Sequence, residues 1–190
     1  GGHCVLLNPY LEKSDKVNFD SFLPAALKRY GEYPDGSGNQ YALPVNQDCL
    51  GLIYRRDLFE DPKEKEAFKA KYGYDLEVPK TYRQLRDIAE FFTRPDQGLY
   101  GFAQYGGREY DYCTSMSNTF IWSFGGALWN PKTFEVKGYL DSPASIDGVK
   151  FYVDLFKFCP PGSETWGFDE VNVAMQQGRV AMAMQWFYFF

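Results

Sequence analysis

The sequence predicts an α/β fold, because segments typical of strands alternate with segments typical of helices along most of its 190 residues. The runs at 50–54 and 180–184 are apolar, which favours two buried strands. Between them, Thr81 and Gln84 have the spacing of a capping box, and apolar residues follow at helical periodicity. Two strand patterns with helical patterns between them therefore define the class.

The first third of the chain contains a predicted helix, a predicted strand and a charged helix. Pro24 is tolerated only in the first turn of a helix, so the helix around it should begin near Asp20 or Ser21. Residues 40–45 have the composition of a buried strand that precedes the one at 50–54. Residues 61–72 are rich in charge and favour a surface helix.

The middle of the chain contains a predicted strand, a helix and a hairpin. Residues 100–104 have the composition of a short strand. Residues 114–124 are mostly apolar and favour a helix, for which Gly125 provides a stop. Residues 128–140 resemble a hairpin with an Asn-Pro pair in its turn.

Two more helices are predicted before the last strand. Ser142 is an N-cap residue type, and Pro143 follows it at the first helical position. Asp169 should cap the second of these helices, and Gly178 should end it.

Composition excludes several classes of protein. The formal net charge is −5, which argues against a nucleic-acid binder, because such proteins carry a basic face. No run approaches the roughly 20 apolar residues of a membrane helix, and the mean hydropathy is −0.43. No signal peptide is visible, and the chain ends on an aromatic run, so we expect a fragment of a longer protein. Aromatic residues make up 19% of the chain, enough for a large core and for a ligand surface as well.

The cysteine and histidine content predicts neither a metal site nor a cofactor. Cys4, Cys49, Cys113 and Cys159 are widely spaced, with no CxxC pair and no Cys/His cluster. Four cysteines allow three disulfide pairings, and four mostly buried free thiols are an equal alternative. His3 is the only histidine, so a Ser/His or Cys/His nucleophile is disfavoured.

Two carboxylates keep a hydrolytic enzyme open as an alternative. Glu109 and Asp111 are close in sequence and surrounded by tyrosines. Glycosidases use a carboxyl pair whose separation sets the mechanism, and sequence does not give that separation. Acidic and aromatic mixtures also serve plain sugar binding, because carboxylates accept hydrogen bonds from hydroxyls and rings stack on the apolar faces of sugars.

Three groups of polar and aromatic side chains, each on a predicted loop, helix start or strand end, suit such binding. They are Asn46, Gln47 and Asp48; Tyr105, Arg108, Tyr110, Asp111 and Tyr112 with Ser115 and Asn118; and Trp186, with Trp166 as a weaker candidate. Trp122 and Trp129 flank the Gly125-Gly126 pair and are predicted to lie in the core.

Several motifs in order resemble the family-1 extracellular solute-binding proteins of ABC sugar transporters, the maltose-binding-protein-like group. They are YALP at 41–44, LIYRRDLF at 52–59, PKTYRQL at 79–85, YGFA at 100–103, WSFGG at 122–126, DSPA at 141–144, PPG at 160–162, WGFDE at 166–170 and GRVAM at 178–182. Each motif alone is weak, but together they extend over most of the chain.

The resemblance implies a two-lobed, type II periplasmic-binding-protein-like fold with a sugar cleft between the lobes. Residues 1–44 would be the end of the first lobe, 45–49 a hinge crossing and 50–190 the second lobe, ending near the return crossing. Asp48 falls on a position that often carries a sugar-contacting acid, and Trp186 lies near a stacking aromatic. Ser115 and Asn118 replace the aromatics of the maltose-specific pattern, so a monosaccharide, a polyol or another oligosaccharide fits equally well.

The predicted function is carbohydrate capture for import, with no catalysis. The protein would be a periplasmic or extracellular monomer, a membrane-anchored lipoprotein included, that delivers a sugar or polyol to an ABC transporter permease by hinge closure. The alternatives are a glycoside hydrolase fragment that uses Glu109 or Asp111, and a non-transport carbohydrate-binding module. The module would bind sugar as this chain alone, whereas one lobe of a two-lobed protein would bind feebly.

Overall fold

A computed structural model describes residues 2–46 and 48–189, and in it the chain divides into two compact units. The first unit is Gly1–Cys49 and the second is Leu50–Phe190. The predicted division into lobes and a hinge crossing at 45–49 stays a prediction, because a boundary between compact units does not by itself identify a hinge.

The first unit is mostly irregular and contains two helices, α1 (Asn8–Leu11) and α2 (Pro24–Gly31). Pro24 occupies the first position of α2, so the helix begins about three residues later than predicted. The predicted strand at 40–45 does not form. Gln40 makes only an isolated bridge with Glu32, and the Tyr41 N–H donates to the Gly31 carbonyl at 2.7 Å, which fastens this segment to the end of α2 as a loop.

The second unit contains two strands and six helices among its described residues. They are β1 (Leu50–Tyr54), α3 (Arg56–Glu60), α4 (Pro62–Tyr72), α5 (Tyr82–Phe92), α6 (Tyr112–Ser123), α7 (Pro143–Leu155), α8 (Phe168–Gln176) and β2 (Met182–Trp186). These six helices lie in the sequence between the two strands of one sheet. The predicted α/β class is confirmed.

Local sequence signals account for several helix starts. Thr81 and Gln84 form the predicted capping box of α5, and the Ser142 hydroxyl accepts from the Ser145 N–H at the start of α7. Helix α8 starts one residue before Asp169, because Gly167 is its cap and donates its N–H to the Glu170 carboxylate at 2.9 Å.

The two strands pair antiparallel, with Leu50 opposite Trp186 and Tyr54 opposite Met182. The predicted last strand is therefore shifted by two residues toward the C-terminus. Residues 100–104 run alongside β2 without forming a regular strand. Both backbone groups of Ala103 form hydrogen bonds with β2. The Ala103 N–H donates to the Met182 carbonyl at 2.9 Å, and the Ala103 carbonyl accepts from the Met184 N–H at 3.0 Å.

The predicted hairpin at 128–140 is wrong. Within it the Asn130 side chain accepts from the Lys132 N–H at 2.9 Å, and Phe134 has a φ of 61°. These local turns bend the backbone away from an extended ladder, and a side chain that bonds its own backbone competes with strand pairing.

The core lies between the sheet and helices α3 to α8, and it is strongly aromatic. Its largest fully buried side chains include Phe68, Phe92, Phe102, Tyr105, Phe120 and Met116. Helix α7 approaches α6 closely at Gly148, where an added Cβ would lie 2.8 Å from the Ile121 backbone. This tight packing fixes the direction in which α6 presents its outer face.

The four cysteines are all free thiols in this structure. Cys4 and Cys49 are exposed, Cys113 is half-buried and Cys159 is buried, so the expectation that most of them are buried is wrong. Burial raises the pKa of the Cys159 thiol. Within residues 2–46 and 48–189, no helix has the length and apolar character needed to cross a membrane.

Candidate functional site

Helix α6 has two chemically different faces. Met116, Phe120 and Ile121 are buried against the core. Asn118, Thr119 and Trp122 lie three, four and seven residues after Ser115, so the four residues lie on one face of the helix. This second face is polar, with an indole ring at its C-terminal end.

That polar face of α6 borders a surface cavity of about 380 Å³, which we call the tryptophan cavity. It is lined by Leu50, Ser115, Asn118, Thr119, Trp122 and Trp186. Two predicted site residues of α6, Ser115 and Asn118, therefore line the same cavity as Trp186, which is far away in sequence.

Trp186 occupies the last position of β2, directly opposite Leu50, the first residue of β1. Its side chain is half-buried, and its indole nitrogen has no hydrogen-bond partner among the described residues. An unpaired buried donor is costly to stability. Because this nitrogen is buried, Trp186 contributes to the cavity as an apolar aromatic side chain.

The polar residues of the cavity retain hydrogen-bonding capacity. The Ser115 hydroxyl donates to the Tyr112 carbonyl at 3.0 Å, and the Thr119 hydroxyl donates to the Ser115 carbonyl at 2.8 Å. Each hydroxyl oxygen can still accept a hydrogen bond. The Asn118 amide has no partner within the part of the chain that the structure describes, so it can both donate and accept toward a ligand.

A second cavity, of about 420 Å³, lies at the start of α6, and we call it the arginine cavity. It is lined by Gly107, Arg108, Glu109, Tyr112, Glu164 and Thr165. Tyr112 lies one helical turn before Ser115, so the two cavities adjoin α6 one turn apart. The arginine cavity is the more polar of the two and contains charges of both signs.

The wall of the arginine cavity depends on two glycines. The Gly106 and Gly107 N–H groups both donate to the Trp166 carbonyl, at 3.1 and 2.9 Å. An added Cβ on Gly106 would lie 2.6 Å from the Glu164 backbone. The Gly-Gly pair therefore permits a close backbone approach.

Some predicted site residues lie outside both cavities. Trp166 contributes its carbonyl to the wall just described, while its half-buried ring packs against the core. Tyr110 is 82% exposed, and its ring centroid lies 5.9 Å from that of Tyr112. Asp111 occupies the N-cap position of α6, where its side chain makes no cap hydrogen bond.

Tyr105, predicted as a ligand-binding residue, lies in the core and lines neither cavity. Its side chain is 0% exposed, and its hydroxyl donates to the side-chain oxygen of Gln185. The segment that carries Tyr105 continues from residues paired with β2, and this pairing turns the ring into the core. Tyr105 is therefore joined to the residue before Trp186 in β2, and it does not line the tryptophan cavity.

The prediction that Trp122 and Trp129 lie in the core is also wrong. Trp122 is 59% exposed and Trp129 is 47% exposed. A signal for Trp122 was available in the sequence, because it lies four residues after Asn118 and seven after Ser115. Helical spacing alone places it on the same face as these two predicted site residues.

The group at 46–48 lies in the first unit. Asn46 is exposed, and the half-buried Asp48 accepts a hydrogen bond from the Cys49 N–H at 2.8 Å. Gln47, the third predicted binding residue of this group, lies outside the described residues. The role of these three residues in binding stays a prediction.

The side chains that line the tryptophan cavity are uncharged. Hydroxyl and amide groups lie beside one exposed and one half-buried tryptophan in the tryptophan cavity, a combination that suits ligands with both hydroxyl groups and apolar faces. Among residues 2–46 and 48–189, no cluster of three or more His, Cys, Asp or Glu could hold a metal ion. The class that this fold and site define is an α/β small-molecule-binding protein.

The chain belongs to the bacterial extracellular solute-binding protein family, whose model matches residues 5–189. A mannitol-binding protein of Pseudomonas aeruginosa is 29% identical over 146 residues, which are 76% of this chain and 30% of that protein. A maltotriose-binding protein of Pyrococcus abyssi is 26% identical over 144 residues, which are 76% of this chain and 26% of that protein. The chain thus spans about a third or less of the curated relatives it matches.

Solved structures agree with this assignment. An ABC transporter solute-binding protein from Thermotoga lettingae, bound with α-D-tagatose, has a TM-score of 0.75 at 25% identity, over 98% of this chain and 44% of that chain. Another from Agrobacterium radiobacter, in complex with ribitol, has a TM-score of 0.73 at 25% identity, over 97% of this chain and 42% of that chain. The predicted type II periplasmic-binding fold is confirmed, and the chain corresponds to part of it.

Proposed function

We propose that the full-length protein binds a carbohydrate in a cleft between two lobes and delivers it to an ABC transporter permease. In this proposal residues 1–44 end the first lobe, 45–49 form a hinge crossing and 50–190 belong to the second lobe. The protein is a periplasmic or extracellular monomer, and hinge closure presents the loaded form to the permease. It catalyses no reaction.

One observation carries the proposal: Ser115, Asn118 and Trp186 line a single cavity in a chain of the solute-binding family. Hydroxyl and amide groups exchange hydrogen bonds with sugar hydroxyls, and an indole ring covers an apolar sugar face. The related proteins described above bind mannitol, maltotriose, tagatose and ribitol according to their names, which favours a sugar or polyol ligand here too.

Calorimetric titration of the full-length protein against polyols, monosaccharides and disaccharides tests the proposal. We expect saturable binding of at least one compound, and an absence of binding across the panel would contradict it. Ser115→Ala should weaken that binding, because the hydroxyl oxygen lines the cavity. Ser117→Ala is the matched control. Its hydroxyl makes the same kind of bond, to the Thr114 carbonyl at 3.3 Å, but it does not line the cavity.

Import and catalysis need separate measurements. Uptake of the labelled ligand should fall in cells that lack the protein and return when the protein is restored. Incubation with chromogenic glycosides should release no chromophore. Turnover that Glu109→Gln abolishes would instead establish the glycoside hydrolase alternative.

A further inference from the structure

We propose that Trp122 determines specificity, and that with Trp186 it makes the tryptophan cavity select pyranose sugars of two or more rings over acyclic polyols. The inference rests on the proposed function, because it concerns the ligand of the same cavity. It goes beyond that function by naming the ligand class and a residue that selects it.

The exposure of Trp122 is the first observation. An indole is among the largest apolar side chains, and leaving it 59% exposed forgoes much of the stabilisation that burial would give. Trp122 is not isolated, because it shares its helix face with Asn118 and Ser115 and borders the same cavity. An exposed indole beside convergent polar groups indicates a surface that a ligand covers.

The second observation is that the two indoles reach the cavity from different elements. Trp122 belongs to α6, whereas Trp186 belongs to the end of β2. Their positions are fixed independently, one by the packing of α6 on α7 and the other by pairing with Leu50. Two aromatic side chains from separate elements of the fold therefore line the cavity.

The third observation is the length of the α6 face from Ser115 to Trp122, which we call the polar strip. Ser115 and Trp122 are seven residues apart, so they are separated by about 10 Å along the axis of α6. Asn118 and Thr119 occupy the space between them. A strip of this length exceeds one sugar ring and matches a ligand of at least two rings.

Ring sugars and acyclic polyols differ in the apolar surface that they can place against the two indoles. A pyranose has C–H groups on its faces and hydroxyls around its edge, so its faces can cover indoles while its edge reaches Asn118 and Thr119. An extended polyol carries hydroxyls on every side and has no flat apolar face. It could use the polar strip, but it would leave the indole of Trp122 largely uncovered.

Calorimetric titration of the full-length protein tests the inference with maltose, cellobiose and trehalose against D-mannitol and ribitol. We expect at least one disaccharide to bind ten times more tightly than either polyol. Trp122→Ala should weaken the binding of that disaccharide at least tenfold and change the affinity for polyols less than twofold. Trp122→Phe, which retains an aromatic face, should recover most of the loss.

Trp129→Ala is the matched control, because Trp129 is also an exposed tryptophan of the second unit but does not line the cavity. It should leave all affinities unchanged, and thermal unfolding should show that the Trp122 variants remain folded. Polyol binding as tight as disaccharide binding, or an equal loss of both in Trp122→Ala, would overturn the inference while leaving carbohydrate binding intact. Absence of binding by every compound would overturn both proposals.

Discussion

The side-chain oxygen of Gln185 accepts a hydrogen bond from the backbone N–H of Trp186 at 3.0 Å. Gln185 is fully buried, and the same oxygen also accepts from the Tyr105 hydroxyl. Its amide nitrogen donates to the Phe168 carbonyl at 3.1 Å and to the Asn172 side chain at 2.7 Å. One buried amide therefore joins the end of β2 to α8 and to the segment beside the sheet, and it holds the backbone that carries Trp186.

Gln185→Met should lower both stability and ligand affinity. The substitution keeps the volume but leaves several buried polar groups without a partner, so we expect a loss of about 2–4 kcal/mol in the free energy of unfolding. Urea unfolding and sugar titration measure the two effects. Gln104→Met is the control, because Gln104 is equally buried and its amide donates, among the residues that the structure describes, to the Tyr152 carbonyl alone, at 2.9 Å. Gln104→Met should lower stability without weakening sugar binding. Equal sugar affinities in the two variants would refute a positioning role for Gln185.

Trp186→Ala should weaken sugar binding at least tenfold in the full-length protein, about 1.4 kcal/mol in binding free energy. The reason is the loss of a ring that lines the tryptophan cavity from the end of β2. Calorimetry against the best ligand of the panel gives the ratio. An unchanged dissociation constant would mean that Trp186 serves only the core.

Thr81→Ala should lower the free energy of unfolding by about 1 kcal/mol, because it removes the N-cap of α5. The Thr81 hydroxyl accepts a hydrogen bond from the Gln84 N–H at 3.2 Å, and the Gln84 side-chain oxygen accepts one from the Thr81 N–H at 3.2 Å. Urea unfolding checks the value. Thr114→Ala, at an exposed position inside α6, should change stability by no more than about 0.5 kcal/mol, and equal losses in both variants would contradict the capping argument.

Stability should fall between pH 10 and pH 12 in part because of Tyr74. Burial, reinforced by the hydrogen bond that its hydroxyl donates to Asp87 at 3.0 Å, raises the pKa of Tyr74 to about 12. The folded state keeps this proton where the unfolded state has lost it. The contribution of Tyr74 to the free energy of unfolding is therefore complete below pH 10. It is lost as the pH rises toward 12, by up to about 1.4 kcal/mol per pH unit.

Tyr74→Phe should make the decline in stability between pH 10 and pH 12 shallower, because the titrating group is gone. Urea unfolding at several pH values measures the slope. Tyr10→Phe changes an exposed tyrosine of the first unit and should leave the slope as it was. A slope that is identical in the wild-type protein and in Tyr74→Phe would assign the alkaline loss to other groups.

Local signals predicted most helices of the second unit and several of their first residues. Thr81 and Ser142 work as caps because a side-chain oxygen needs only a backbone N–H two or three residues away. The predicted strand at 40–45 and the hairpin at 128–140 failed for the complementary reason. A strand requires a distant partner, and in both segments local turns and loop contacts satisfy the backbone instead.

The candidate site shows the same division. Helical periodicity was sufficient to place Ser115, Asn118 and Trp122 on one face of α6, since that relation depends only on the turn of the helix. Whether this face met Trp186, and whether Tyr105 pointed outward or into the core, depended on elements far away in sequence. By itself the sequence determined the α/β class, the helix caps and the resemblance to solute-binding proteins. Only the tertiary structure exposed Trp122 and buried Tyr105, because burial is decided by what packs against a side chain.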